Sequence, residues 1–145
     1  MKPKISVIMS VYNGMPFLKE AVESILKQTY KNFEFIIIDD SSTDNTLKYL
    51  KSLRDKRIKL IKNKKNLGLA KSLNIALKKA RGDYIARMDA DDISKPQRLE
   101  AQLKFMEKNP QIDICGTFVD VINEGNEIIG QIKKPTTDKE IKREL

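Results

Sequence analysis

The chain has 145 residues, 28 basic and 20 acidic, and a formal net charge of +8. That length fits one domain, and 40% hydrophobic with 33% charged residues is a globular balance that excludes a disordered chain. With no histidine and only Cys115 as a thiol, His-dependent triads, thiolate zinc sites and internal disulfides are excluded, so acid–base or metal chemistry must use carboxylates.

Ile5 to Val11 is a short apolar run that reads as a buried strand. Asn13-Gly14 makes a turn, and Pro16 suits the first position of a helix with Leu18, Ala21, Val22, Ile25 and Leu26 inward. Phe33 to Ile38 is a second buried strand. The polar loop Asp39 to Asp44 follows, with Ser42 or Thr43 placed to cap a helix whose inner face is Leu47, Leu50 and Leu53. Ile58 to Ile61 is a third strand. After the loop Asn66-Leu67-Gly68 comes a helix with Leu69, Leu73, Ala76, Leu77 and Ala80 inward, and Gly82 reads as its left-handed cap. Tyr84 to Met88 is a fourth strand, and Pro96 opens a helix with Leu99, Leu103 and Met106 inward. Ile112 to Ile122 and Glu127 to Ile132 flank Asn123-Glu124-Gly125-Asn126 as a β-hairpin. Alternating elements with apolar strands predict an α/β fold: a mostly parallel central sheet flanked by helices, with a C-terminal hairpin.

The positive excess gathers in two stretches, Lys48 to Lys65 and the C-terminal Lys133, Lys134, Lys139, Lys142 and Arg143. Such runs are usually solvated surface, and the functional alternative is an anionic partner. Nucleic acid is disfavoured, because Tyr49 is the one stacking side chain in the first run. No apolar run approaches the roughly 18 residues of a membrane span, and no signal peptide is visible, so the expected location is the cytoplasm or the cytoplasmic face of a membrane.

Three strand ends carry the chemistry: Tyr12-Asn13-Gly14, Asp39-Asp40-Ser41-Ser42 and Asp89-Ala90-Asp91-Asp92. Ligands of parallel sheets bind beyond the carboxyl ends of the strands. Five carboxylates at one edge repel unless a cation sits among them, and hard divalent ions bridge carboxylates to a diphosphate. A lone D-x-D is weak, since acidic turns and helix caps look alike; the combination of positions is more specific. A dinucleotide fold is the rival, but the first turn has no G-x-G-x-x-G, and a P-loop is absent.

The strings SVIMSVYNG, LKEAVESILKQTY, FEFIIIDDSSTD, NLGLAKSLNIAL, ARGDYIARMDADD and SKPQRLEAQ run in order from residue 5 to about 102. In them the chain resembles the nucleotide-sugar-binding portion of family 2 glycosyltransferases, which have the Rossmann-like GT-A fold. The resemblance implies one GT-A domain over residues 1–145 and transfer of a sugar from a nucleotide-diphospho-sugar to an acceptor hydroxyl, metal-dependent and inverting. It implies that Tyr12 stacks on the nucleobase, that Asp40 accepts hydrogen bonds from the base while Asp39 supports the loop, and that Lys71 and Asn74 lie near the nucleotide. Asp89 lies along the ribose and diphosphate, and Asp91, with Asp89, holds Mg²⁺ or Mn²⁺. The implied partners are the donor and a glycan or lipid-linked acceptor, as in bacterial polysaccharide biosynthesis, and no nucleic acid. Peripheral membrane contact and self-association through an exposed strand edge are the further partners this reading allows.

The chain departs from the family pattern downstream. The family's general base lies beyond the D-x-D in a segment not found here; Asp113, Asp120, Glu124, Glu127, Asp138, Glu140 and Glu144 follow the last helix, and none sits in the expected motif. The chain therefore reads as the N-terminal portion of a larger transferase or a truncated product, without its acceptor-binding half. The alternative is a nucleotide-sugar-binding module with no turnover of its own.

Overall fold

The computed structural model describes residues 2–137, 140 and 141, so Asp138, Lys139, Lys142, Arg143 and Glu144 lie outside the described residues. The elements are β1 (Ile5–Val11), α1 (Leu18–Leu26), β2 (Phe33–Asp39), α2 (Thr46–Ser52), β3 (Ile58–Lys62), α3 (Leu69–Lys79), β4 (Tyr84–Arg87), α4 (Arg98–Lys108), β5 (Val119–Ile122) and β6 (Ile128–Ile132). The first four strands form one parallel sheet in the order β3-β2-β1-β4. No helix among the described residues is long and apolar enough to cross a membrane.

The chain divides into two compact units, Met1–Glu107 and Lys108–Leu145. In the first, β1 and β2 are covered on both faces, which is why nearly every residue in them is apolar. Val7, Met9, Val11, Phe35 and Ile37 pack with Leu18, Val22 and Ile25 of α1, Leu50 of α2, and Leu99 and Leu103 of α4. Ile8, Ile36 and Ile38 turn to the opposite face and pack with Leu73, Ile75 and Ala76 of α3. In the second unit β5 and β6 pair antiparallel, with an irregularity between Val121 and Ile122.

The register places the site. Val11 stands opposite Asp39, so Tyr12 and Asp40 leave the sheet side by side, with Asp40 N donating to Val11 O at 2.8 Å. On the other flank Ile8 pairs with Arg87, so Asp89 to Asp91 follow alongside the end of β1.

Several local details differ from the sequence expectation. The first hairpin strand starts at Val119, not Ile112. Helix α1 starts at Leu18, two residues after Pro16. Asp44, rather than Ser42 or Thr43, serves the start of α2: its Oδ1 accepts the Thr46 amide at 2.9 Å. Helix α3 buries Ser72 and Ala76, while Leu69 and Leu77 are 51% and 44% exposed, because Ser72 is drawn inward by a polar network at the site. Gly82 has no left-handed backbone; the cap position is Ala80. Glycine is needed there because a Cβ would collide with the backbone of Ile5 and Ser6 on β1.

That close approach belongs to a buried tie at the amino end of the sheet. Glu34 Oε1 accepts from Ser6 Oγ (2.6 Å) and Arg81 N (2.7 Å), and Oε2 accepts from Lys59 Nζ (2.6 Å). Gly82 N donates to Ser6 Oγ at 2.8 Å. Four segments are thereby joined through one carboxylate. Burial is the largest influence on Glu34 and acts upward, but the donors from Lys59, Ser6 and Arg81 together outweigh it and lower the carboxyl to about 2. Because the folded value is depressed, the stabilisation is full above about pH 4.5 and is lost as pH falls through about 2, and its size at neutral pH is about 3 kcal/mol. Glu34→Gln is therefore expected to cost about 3 kcal/mol at pH 7 in urea titrations, and less than half of that at pH 3. A cost independent of pH would contradict this account of Glu34.

Candidate functional site

A cleft of about 460 Å³ opens where β1 and β4 end, lined by Tyr12, Asn13, Phe17, Leu69, Arg87, Asp89 and Asp91 among others. Tyr12 is 50% exposed, so its ring face is open to a ligand. Asn13 takes a left-handed backbone (φ 51°), which an asparagine tolerates, and its side chain uses that turn. Its Oδ1 accepts from Thr43 N at 2.8 Å, and its own amide donates to Ser42 Oγ at 3.0 Å. The Gly14 amide donates to the buried Thr46 Oγ1 at 2.9 Å, and a side chain at Gly14 would strike Val11. The β1–α1 loop is thus sewn to the β2–α2 loop, which fixes the backbone that carries Tyr12.

Asp40 is 2% exposed. Its Oδ1 accepts from Asn63 Nδ2 (2.6 Å) and Leu67 N (2.9 Å), and Oδ2 accepts from Gly68 N (2.8 Å). Burial, the largest influence, pushes the carboxyl up, and these hydrogen bonds outweigh it and hold it below the ordinary range. Ser72 Oγ accepts the second contact of Asn63 at 2.9 Å, which anchors the start of α3 to the same network. Gly68 supplies the positive φ of 84° that lets its amide turn toward Asp40. Asp39 follows Phe35 and Ile37 onto the α1 face; neither carboxylate oxygen has a hydrogen-bond partner, and its backbone O accepts Asn63 N at 2.9 Å.

On the β4 side, Arg87 grips Asp89 with two bonds, Nε to Oδ1 at 3.0 Å and Nη2 to Oδ2 at 2.8 Å. Partial burial first, then the charges of Asp91 and Asp89, push the Asp92 carboxyl above the usual range. Arg98 lies behind this loop. Its Nη1 donates to Arg87 O at 3.2 Å, while Nε and Nη2 are buried without partners. Burial works against its charge and the Asp92 carboxylate supports it. Gln28, fully buried, braces the segment beneath: Nε2 donates to Lys95 O (2.8 Å) and Ser94 Oγ (3.2 Å), and Oε1 accepts Leu99 N (2.9 Å).

The five carboxylates do not crowd into one cluster. Among the described residues no group of three or more acidic or thiol side chains converges to hold a metal by itself. The reason is local neutralisation: three N–H donors serve Asp40 and a guanidinium serves Asp89. Asp91 and Asp92 remain exposed, and their repulsion fits a hard cation that takes one or two carboxylates and completes its shell with water and substrate phosphate.

The cleft lining brings together Tyr12, Asp89 and Asp91 and leaves out Asp40, Lys71 and Asn74. Asp40 sits in its cage below, and Lys71 and Asn74 are exposed on α3. The residues missed from sequence were Arg87, Arg98, Gln28 and the Asn63–Ser72 pair. Arg87 had a readable signal, since an arginine two residues before an aspartate at a strand end shares its face.

Comparisons with known proteins identify the family. Residues 6–144 match the family described as Glycosyl transferase family 2. EpsE of Bacillus subtilis, which carries a glycosyltransferase name, is 49% identical over 140 residues, 92% of this chain and 50% of that protein. An uncharacterised glycosyltransferase of Methanocaldococcus jannaschii is 45% identical over 98% of this chain and 51% of its own length. The chain thus spans about half of each. Among solved structures, S. aureus TarS 1-349 in complex with UDP-GlcNAc superposes with a TM-score of 0.70 at 32% identity, over 74% of this chain and 32% of that one. The mannosyltransferase PcManGT of Pyrobaculum calidifontis, in complex with GDP-Man and Mn²⁺, gives 0.64 at 29% identity, over 73% of this chain and 33% of that one.

The cage around Asp40 makes a direct prediction. Asp40→Asn replaces an acceptor by an amide donor that cannot satisfy the same N–H groups, and should cost about 1–3 kcal/mol. Hydrogen exchange should speed up at the Leu67 and Gly68 amides, and unchanged protection there would contradict the cage.

Proposed function

The chain belongs to glycosyl transferase family 2, and from that premise we propose that its cleft binds a nucleotide-diphospho-sugar and activates the sugar for transfer to an acceptor hydroxyl, with metal assistance and inversion at the anomeric carbon. The observation that carries this reading is the meeting of an open aromatic ring, Tyr12, with Arg87, Asp89 and Asp91 around one cleft at the carboxyl edge of the sheet.

In this reading Tyr12 stacks on the base, and Asp40 holds the Leu67–Gly68 backbone that borders it. The Asp40 carboxylate takes Asn63, Leu67 and Gly68 as donors and Ser72 as a further side-chain partner, which fills its roughly four acceptor positions, so it acts on the base through the loop backbone it holds. Lys71 and Asn74 are the outer contacts along α3. Asp89, oriented by Arg87, faces the ribose and diphosphate, and Arg87 places a cation beside the phosphates. Asp91, with Asp89, is the proposed holder of Mg²⁺ or Mn²⁺. A divalent ion there would supply Lewis-acid neutralisation of the charge building on the leaving diphosphate. Positioning by Tyr12 and Asp40 then presents the anomeric carbon for attack. The solved relatives bound to UDP-GlcNAc and to GDP-Man with Mn²⁺ support the ligand class.

One observation favours a second reading, donor binding without turnover by this chain alone. The cleft lining holds two carboxylates, Asp89 and Asp91; Asp89 is paired with Arg87 and both are assigned to the metal, which leaves neither of them free as a base. Of the described downstream carboxylates, Asp113, Asp120, Glu124, Glu127 and Glu140, none sits in the motif in which the family carries its base. A general base contributes about 10²–10⁴-fold, so its loss would be plain in a transfer assay.

Calorimetry with a panel of nucleoside diphosphates, with and without Mn²⁺, tests the donor site. Asp91→Ala should abolish the Mn²⁺-dependent part of the affinity without loss of fold; binding equal to the wild type in Mn²⁺ would refute the assignment. Tyr12→Ala should weaken nucleoside diphosphate binding by about 1–3 kcal/mol and leave pyrophosphate binding unchanged.

A further inference from the structure

The segment from Asn45 to Gly82, which contains α2, β3 and α3, holds thirteen Lys and Arg residues and one acidic residue, Asp55, a net of +12. The whole chain carries +8, so everything outside this segment sums to −4. The structure carries that charge on the edge strand β3 and on a helix over each face of the sheet, with α3 lying over β1 and β2. Strand β3 is an outer strand, Leu50 of α2 packs on one face of the sheet, and Ala76 of α3 packs on the other.

Two acids serve this segment: Glu34 pairs with Lys59 and Arg81, and Asp55 pairs with Arg57. The other ten cations are exposed, and none takes part in an ion pair among the described residues. They include Lys48 and Lys51 on α2, Lys64 and Lys65 after β3, and Lys78 and Lys79 at the end of α3. Local stability does not account for them. Protection of an edge strand needs charge on the strand itself, and only Lys59 and Lys62 lie on β3. A solvated helix normally alternates signs, and neither α2 nor α3 has an acidic residue in its first turn to do so. Ten uncompensated cations on three consecutive elements and the loops between them repel one another, and an anionic surface relieves that repulsion.

We propose that this basic surface, formed by α2, β3 and α3, docks the protein onto an anionic lipid bilayer. The composition favours lipid over nucleic acid. Ten of the thirteen cations are lysines, point charges suited to a fluid field of phosphates rather than to bidentate recognition. Tyr49, the sole aromatic residue of the segment, packs against the core and offers no stacking platform. Leu77, 44% exposed beside Lys78 and Lys79, adds an apolar contact of the kind that interfacial helices use. The proposal does not depend on the donor reading.

The test is sedimentation of the full chain with vesicles of phosphatidylcholine alone or mixed with phosphatidylglycerol. The protein should pellet with the mixed vesicles only, and less as salt rises. Replacing Lys48, Lys51, Lys64 and Lys65 together by Gln should weaken vesicle binding roughly a hundredfold or more. The same number of changes at Lys19, Lys27, Lys104 and Lys108, outside the segment, should leave it as in the wild type. Thermal melting checks folding, and Lys62→Gln with Lys78→Gln and Lys79→Gln is a second variant should the first not fold. Equal losses in the segment and control variants, no pelleting with anionic vesicles, or tighter binding to single-stranded RNA at the same salt would each overturn the proposal. Nucleoside diphosphate calorimetry on the same variants separates it from the donor site: a failure here with donor binding intact overturns the docking surface alone.

Discussion

A parallel strand paired on both edges and covered on both faces has no place for polar chemistry except its ends. Strand β1 is under that constraint from Ile5 to Ile8, with β2 on one side and β4 on the other, and keeps β2 beside it as far as Val11. The polar residues that follow it are therefore forced into one neighbourhood with those that follow β2 and β4. The register does the rest, because Val11 opposite Asp39 and Ile8 opposite Arg87 set the levels at which Tyr12, Asp40 and Asp89 emerge. The amino end of the sheet is closed by the Glu34 carboxylate, which leaves the carboxyl end as the open one.

Charge at that open end is sorted rather than massed. Asp40 is committed to backbone amides and Asn63, so its charge builds a loop. Asp89 is committed to Arg87, so its charge orients a cation beside the cleft. Asp91 and Asp92 are left without such partners and repel each other across one residue step, which is the arrangement a divalent ion would relieve. Behind them Arg98 is a buried cation with two unpartnered N–H groups, so the loop that carries the carboxylates rests on a positive charge of its own.

Much of this was legible from the chain. The order of strands and helices followed from apolar runs and helical spacing, since burial on two faces writes itself into most residues of ISVIMSV and FEFIII. The cleft-facing placement of Tyr12, Asp89 and Asp91 followed from their positions at strand ends. What could not be read depends on contacts distant in sequence. Ser72 faces inward because Asn63 and Asp40 require it, and a hydrophobic pattern alone assigns that face to Leu69 and Leu77. Gly82 is set by the nearness of β1, seventy-six residues away in the bond from Gly82 N to Ser6 Oγ, and not by a turn. The hairpin begins late, at Val119, because Ile112 to Phe118 has no partner strand among the described residues to pair with.

The central claim is that the carboxyl edge of the sheet is a nucleotide-sugar donor site. Amide chemical-shift mapping of the labelled chain, titrated with nucleoside diphosphates in Mg²⁺, tests it most directly. Perturbations are expected to concentrate at Tyr12, Asn13, Gly14, Gly68, Leu69 and Asp89 to Asp91, with the Glu34 end of the sheet unmoved. Shifts confined to the Glu34 end, or none at saturating nucleotide, would contradict it.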